Sequence, residues 1–196
     1  MGDEKRQYKK TRRAEQEQAT RLRIVESIVA LHSTLGPSAT TISGIARHAG
    51  VRRSTVYRHF PDEASMFAAC SSHWRAGNPL PDLSGWAAIA SPDERLRFAL
   101  RELYGHYGQT QQMMDNLLRD YPAMPVIQRT FSRFLDYMSA ALKTLMAERP
   151  ESAESAAAIG HALAFGTWSS LVREQGLDDE QAVDLMCRLV AAAGAR

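Results

Sequence analysis

The stretch from Thr41 to Phe60, Thr-Ile-Ser-Gly-Ile-Ala-Arg-His-Ala-Gly-Val-Arg-Arg-Ser-Thr-Val-Tyr-Arg-His-Phe, leaves a folding chain few choices. Thr41 is placed to cap a short helix that carries Ile42, Ile45 and Ala46 inward, and Gly50 can take the left-handed backbone of a tight turn. A second short helix then starts near Arg52, with Val51, Val56 and Phe60 spaced to pack on the first. That leaves Arg52, Arg53, Ser54, Thr55, Tyr57 and His59 pointing outward. Two helices joined by a short turn containing Gly, the second of them polar, are the sequence form of a helix-turn-helix. A second helix of this size fits a DNA major groove.

Charge supports that direction. Residues 1–60 hold 12 Lys and Arg against 5 Asp and Glu, a balance of +7, whereas the remainder holds 12 against 17, a balance of −5. A polyanion would be drawn to one end of the chain only. Much of the basic charge lies in residues 1–13, at Lys5, Arg6, Lys9, Lys10, Arg12 and Arg13. This segment reads either as a solvated, disordered terminus or as a basic arm that follows a minor groove.

The residues Ile24 through Gly36, Thr41, Ile45-Ala46, Ala49-Gly50-Val51, Thr55-Val56-Tyr57, His59-Phe60 and Met66-Phe67 resemble the amino-terminal domain of the tetracycline-repressor (TetR) family of transcription regulators. The resemblance covers about a quarter of the chain. Three positions depart from the family pattern. Arg52 stands where a capping Ser is common, His32 where Phe is common, and Glu63 where a phosphate-binding Lys is common. The resemblance implies an all-α chain, with an amino-terminal three-helix helix-turn-helix DNA-binding domain over residues 1–60 and a larger helical ligand-binding and dimerisation domain over 61–196. It also implies that Thr41, Tyr57 and His59 bond phosphates. Arg52 and Arg53 are candidates for guanine contacts, since Arg donates bidentately to O6 and N7, and Ser54 and Thr55 could touch base edges or a thymine methyl. With Arg58, these arginines would otherwise be a solvated basic face.

Along the rest of the chain the period is helical. Leu22, Val25, Ile28, Val29, His32 and Leu35 mark one face of a helix from about Ala14 to Leu35, stopped by Gly36-Pro37, with His32 a packed core histidine. A helix over Asp62 to Ala76 places Met66, Phe67, Cys70 and Trp74 on one side, and the breaker-rich segment Gly77 to Gly85 reads as a loop and a boundary. Ser91-Pro92-Asp93-Glu94 is a capping box opening a helix with Leu96, Ala99, Leu100, Leu103 and Tyr107 inward. Thr110 is expected to open another, carrying Met113, Met114, Leu117, Leu118 and Tyr121 up to Pro122. A long helix from Pro125 carries Ile127, Phe131, Phe134, Leu135, Met138, Leu142 and Leu145. Glu151 to Gln175 reads as one helix with small residues on a flank, ended by Gly176. Asp178 then caps a last helix with Ala182, Val183, Met186, Leu189, Val190 and Ala193 inward. The resemblance implies that these final two helices pair with those of a second copy in a four-helix bundle.

For the body, Trp86, Tyr104, Tyr107, Met113, Met114, Leu117, Phe134, Tyr137, Met138, Phe165 and Trp168 are the candidate ligand-binding residues, with Tyr104, Gln112, Asn116, His161 and Ser169 as polar groups. The function implied is a regulator, a repressor released from a near-palindromic operator on double-stranded DNA by a small apolar or aromatic inducer. The alternative is a ligand-independent regulator or architectural dimer whose body binds a protein partner. No metal or cofactor is called for, because the six histidines form no i, i+4 pair and there is no phosphate loop or nucleophile elbow; an enzyme is not expected. Cys70 and Cys187 read as structural thiols. No apolar run is long enough to span a bilayer and no secretory signal opens the chain, so a cytoplasmic protein is expected.

Overall fold

In the computed structural model, residues 2–194 are described, with side chains for Gln7, Tyr8 and Lys10 onward, and every regular element among them is helical. Helix α1 runs from Gly2 to Thr34, so the basic segment, read either as a disordered terminus or as a groove-following arm, has a helical backbone. The side chains of Lys5, Arg6 and Lys9 lie outside the described residues. Between Asp3 and Leu35 there is neither Gly nor Pro, and Lys, Arg, Gln and Glu are good helix formers, so the helical backbone propagates toward its amino terminus. Burial begins only at Ile24, followed by Val25, Ile28 and His32; Leu22 and Leu35, expected inside, are 46% and 51% exposed. Leu22 precedes the first packed turn. Leu35 lies past the helix end, where Gly36 at φ +92 donates its N–H to the carbonyls of Leu31 and His32 and turns the chain.

Helix α2 (Ile42–His48) is capped by Thr41, whose hydroxyl oxygen accepts the Gly44 N–H at 3.0 Å. Gly50 takes φ +65 and the Val51 N–H returns to the Ala46 carbonyl, which sets the angle at which α3 (Arg53–His59) leaves the turn. Val56 and Phe60 sink into a core with Ile24, Ile28, Ile45, Ala46 and Cys70. Helix α4 (Glu63–Gly77) closes this core along α1, its first turn capped by Asp62 on the Ser65 N–H.

Contacts divide the chain into two units. The first holds the residues up to Gly77 together with Gln112–Thr130, and the second holds Asn78–Gln111 with Phe131–Arg196. In the first unit the last turns of α6 (Pro92–Asp120) clamp the corner after α1. The Asn116 amide donates to the carbonyls of His32 and Ser33 at 3.0 and 2.7 Å, Arg119 donates to Leu35, and the Asp120 carboxylate accepts the Ser38 N–H at 2.9 Å. Burial alone would push the Asp120 carboxyl up, but the Arg119 guanidinium and the Ser38 N–H and hydroxyl outweigh it and hold it below the usual range. Asn116 is therefore a clamp residue and not the pocket group expected. Phe67 packs with Val126 and Ile127 in a second small core of the same unit.

Burial pushes the His32 imidazole down to about 4 from 6.5, against the pull of the Asp120 carboxylate. A base that the folded state keeps neutral makes stability fall as pH drops from 6.5 toward 4, because only the unfolded chain takes up the proton. The fall should total about 3 kcal/mol. Urea midpoints at pH 7 and pH 4.5 should therefore separate by clearly more in the native chain than in His32→Phe. Equal separations in the two would contradict a neutral, buried His32.

The second unit begins inside the breaker-rich segment, but its loop is shorter than expected, since Asp82 caps α5 (Leu83–Ala87) through the Ser84 N–H. Helix α6 starts as the capping box predicts, with the Ser91 hydroxyl oxygen accepting from the Glu94 N–H. It does not restart at Thr110. That hydroxyl donates to the His106 carbonyl at 2.7 Å, satisfying the side chain within an unbroken helix that ends only at Asp120, before the 3-10 turn Tyr121–Ala123. Helix α7 spans Pro125–Met146. The helix expected over 151–175 is broken into α8 (Ala153–Leu163), α9 (Phe165–Trp168) and a wide π turn, Ser169–Glu174, because Ala164 adopts an extended ψ of 135. Helix α10 (Asp179–Gly194) follows Gly176, with Asp178 and Gln181 bonding each other's N–H groups. Leu118, Leu135 and Leu189, expected on buried faces, are 38%, 50% and 50% exposed. Each lies at the edge of its apolar stripe, where a helix packed on one side leaves the flank to solvent. Both cysteines are free, Cys70 buried and Cys187 half-buried.

Candidate nucleic-acid interface

On α3 the same turn that buries Val56 exposes its neighbours. Arg53, Ser54, Tyr57 and Arg58 are exposed, as is Arg52 just before the helix; Thr55 and His59 are half-buried. Arg52 occupies the amino-terminal cap position, where a guanidinium, having donors and no acceptor, cannot take a backbone N–H, so the first turn is left without a side-chain cap. Beneath them Phe60 is seated firmly, with the Arg21 guanidinium 4.8 Å over its ring. Thr41 is exposed, and its hydroxyl, already accepting from Gly44, keeps a proton to donate. His59, expected to point outward, is only half-exposed and has its Nε2 buried, without a hydrogen-bond partner among the described residues. At the foot of α4, Asp62 and Glu63 are exposed acids; hydrogen bonds from the Ser65 N–H and hydroxyl hold the Asp62 carboxyl below the usual range. All eight residues expected at DNA therefore sit on α2, α3 or their flanks. The cation–π support from Arg21 went unread in the sequence, since only the packed structure brings it over Phe60.

The expected ligand residues fall in both units. Met113, Met114 and Leu117 belong to the first. In the second, the helix break is what organises the rest. With Ala164 extended, the Thr167 N–H turns to the Ala164 carbonyl, and the carbonyls at the end of α8 are left for other donors. Tyr104 and Tyr107 fill that role, their hydroxyls donating to Ala162 at 2.9 Å and Leu163 at 2.7 Å. Tyr107 also lies edge-on to Phe165 and beside Trp168, whose indole N–H donates to Asp179 at 3.0 Å. Trp86 donates to Glu102 at 2.6 Å and meets the ring of Tyr137, whose hydroxyl donates to the Pro81 carbonyl. Met138 lies 3.9 Å from the Tyr107 hydroxyl, and Phe134 pairs with Phe131. His161 is exposed, beside the Thr167 hydroxyl. No group of three His, Cys, Asp or Glu among the described residues comes together to hold a metal, and no helix among them is long and apolar enough to cross a membrane.

A basic, polar second helix on a small three-helix core, followed by an all-helical body, defines a helix-turn-helix DNA-binding protein. Residues 24–70 match the model of bacterial regulatory proteins of the tetR family. Solved structures agree on the fold. The chain is 19% identical to NalD of Pseudomonas aeruginosa, the secondary repressor of the MexAB-OprM multidrug efflux pump, covering 91% of this chain and 97% of that one with a TM-score of 0.62. It is 18% identical to AibR, solved with isovaleryl coenzyme A and operator DNA, covering 86% and 96% at 0.62. A TetR-like regulator from Rhodococcus sp. RHA1 is 20% identical over 88% and 93% at 0.62. No curated protein matches by sequence. Residues 24–70 are thus similar to the tetR-family regulatory proteins, and the chain as a whole has the fold of these solved regulators.

Proposed function

We propose that this chain is a sequence-specific, cytoplasmic transcriptional repressor that binds a near-palindromic operator as a homodimer and is released by a small apolar or aromatic ligand. The observation that carries the reading is the exposed row Arg52, Arg53, Ser54, Tyr57 and Arg58 standing on a helix whose other face is sealed by Val56 and Phe60. Residues 1–60 supply the reading head and 61–196 the ligand-binding and dimerising body. Helices α8 and α10, which pack on each other, are the dimer elements, and the half-exposed Leu189 is an apolar group that a second copy would cover. Ligand release requires that the ligand favour the form with lower DNA affinity, by as much free energy as the affinity lost.

Selection of bound fragments from random duplex DNA, followed by light scattering of the complex, tests this. Enriched near-palindromes bound by two copies are the expected result; binding without sequence preference, or by one copy, would overturn it. Within the enriched site, Arg53→Ala should cost roughly 1 to 3 kcal/mol and relax preference at one base pair in each half-site. A uniform loss over all sequences would place Arg53 on the phosphates.

A further inference from the structure

Helix α1 extends well past the core it closes. Every side chain from Lys10 to Arg23 is exposed except the half-buried Thr20, and Ile24 is the first among the described residues to be buried. Arg21 marks where the two part: its guanidinium lies 4.8 Å over the Phe60 ring, so this part of α1 leaves the core beside the end of α3. Between Asp3 and Arg23 the apolar residues are Tyr8, Ala14, Ala19 and Leu22, at spacings that draw no stripe for another helix to cover. The charges are sorted instead. Lys5, Arg6, Lys9, Lys10, Arg12 and Arg13 follow one another with no acid among them, between Asp3-Glu4 and Glu15. Lys5, Lys9 and Arg13 recur every four residues, as do Arg6 and Lys10, and on a helical backbone such positions are neighbours, where like charges weaken an isolated helix. A polyanion alongside would turn that repulsion into attraction.

We propose that the amino-terminal part of α1 is a second DNA-binding element, a basic helix that lies against the phosphates of the duplex flanking the site read by α3, without regard to base sequence. The inference rests on the reading of α3 as a DNA-reading helix and adds a separate surface to it. The helical backbone decides the mode. A helix is about 10 to 12 Å across and a minor groove about 6 Å wide, so this segment cannot thread a minor groove as an extended arm does. At about 1.5 Å per residue, Arg13 and Lys5 stand about 17 and about 28 Å along the axis from Ile24, which spans roughly the fifth to the eighth base pair of a duplex running beside it. Phosphates there meet six cations, and each one neutralised releases counterions.

The duplex enriched by selection serves as the probe for the full chain, once trimmed to the enriched site and once with about ten base pairs added at each end. The added ends should tighten binding about tenfold or more at low salt, equally whether they are A·T or G·C pairs. Lys9→Gln, Lys10→Gln, Arg12→Gln and Arg13→Gln together should abolish that gain, leave the trimmed site bound as before, and make the log–log salt slope on the long duplex shallower by about 2 to 4. Thr11→Pro keeps every charge but breaks the helix, and should lose most of the gain as well. Ends that add nothing, a gain untouched by the four glutamines or by the proline, or a gain confined to A·T ends, the mark of a minor-groove arm, would overturn the proposal. The trimmed duplex keeps the two readings apart. If it is bound and the ends add nothing, only the role of α1 falls; if selection enriches no site, the reading head fails and the α1 surface with it.

Discussion

Phe60→Ala should cost the chain about 3 to 5 kcal/mol and with it most of its DNA binding, the larger of two effects that the packing makes explicit. Phe60 is 1% exposed and lies at the end of α3, in a core shared with Val56, Ile24, Ile28 and Ile45. Removing the ring leaves a cavity that this small core has few large side chains to refill, and it removes the surface on which the Arg21 guanidinium rests. Against a total stability on the order of 5 to 15 kcal/mol, that loss is a large fraction. Because α3 has only seven residues and no side-chain cap at Arg52, its helicity depends on this seat more than on its own propensity. Chemical denaturation and a mobility shift on the same samples would check the expectation. Phe60→Leu, which keeps most of the volume, should recover much of both; an alanine variant that still shifted operator DNA with native affinity would show that α3 does not depend on the ring.

The second expectation concerns the opposite end of the body. Arg95 is 3% exposed and its guanidinium donates to the carbonyls of Ile89 and Ala147 at 2.9 and 3.1 Å and to the Glu148 carboxylate at 3.0 Å, with longer bonds to Ala90 and Thr144. It thus ties the approach to α6 to the carboxyl end of α7, where the chain turns through Glu148 at φ 64. Arg95→Met fills the volume but takes the donor from these part-buried bonds, so about 1 to 3 kcal/mol should be lost, on the order of 5 °C in melting temperature. Lys should rescue only part, since an ammonium cannot fork toward four carbonyls in one plane. Arg101→Met is the control: that guanidinium bonds Glu180 at the surface, where water replaces the partner, and the change should be close to silent. Equal melting shifts for Arg95→Met and Arg101→Met would remove Arg95 from this role.

How far the sequence reached can be judged from particular residues. Gly50 in the turn, Thr41 as a cap, Val56 and Phe60 inward and the capping box at Ser91 were all legible, because each depends on chemistry within four or five residues along the chain. Thr110 misled because a Thr that often begins a helix can equally satisfy itself on the carbonyl four residues back, and nothing local says which. Leu189 and Leu135 misled for a related reason: periodicity gives the apolar stripe but not how much of it a neighbour covers.

What the sequence by itself determined is therefore the helical class, the helix-turn-helix and the sign of charge at each end, since these follow from short-range sterics, capping and composition. What only the tertiary structure decided is the break at Ala164 and the clamp of Asn116, Arg119 and Asp120 on the α1 corner. A helix can give up its own hydrogen bonds at Ala164 only because Tyr104 and Tyr107, some 60 residues earlier, arrive to take the freed carbonyls. Likewise the clamp joins groups more than 80 residues apart. Whether a distant donor will be present is a property of packing, and no window along the chain contains it.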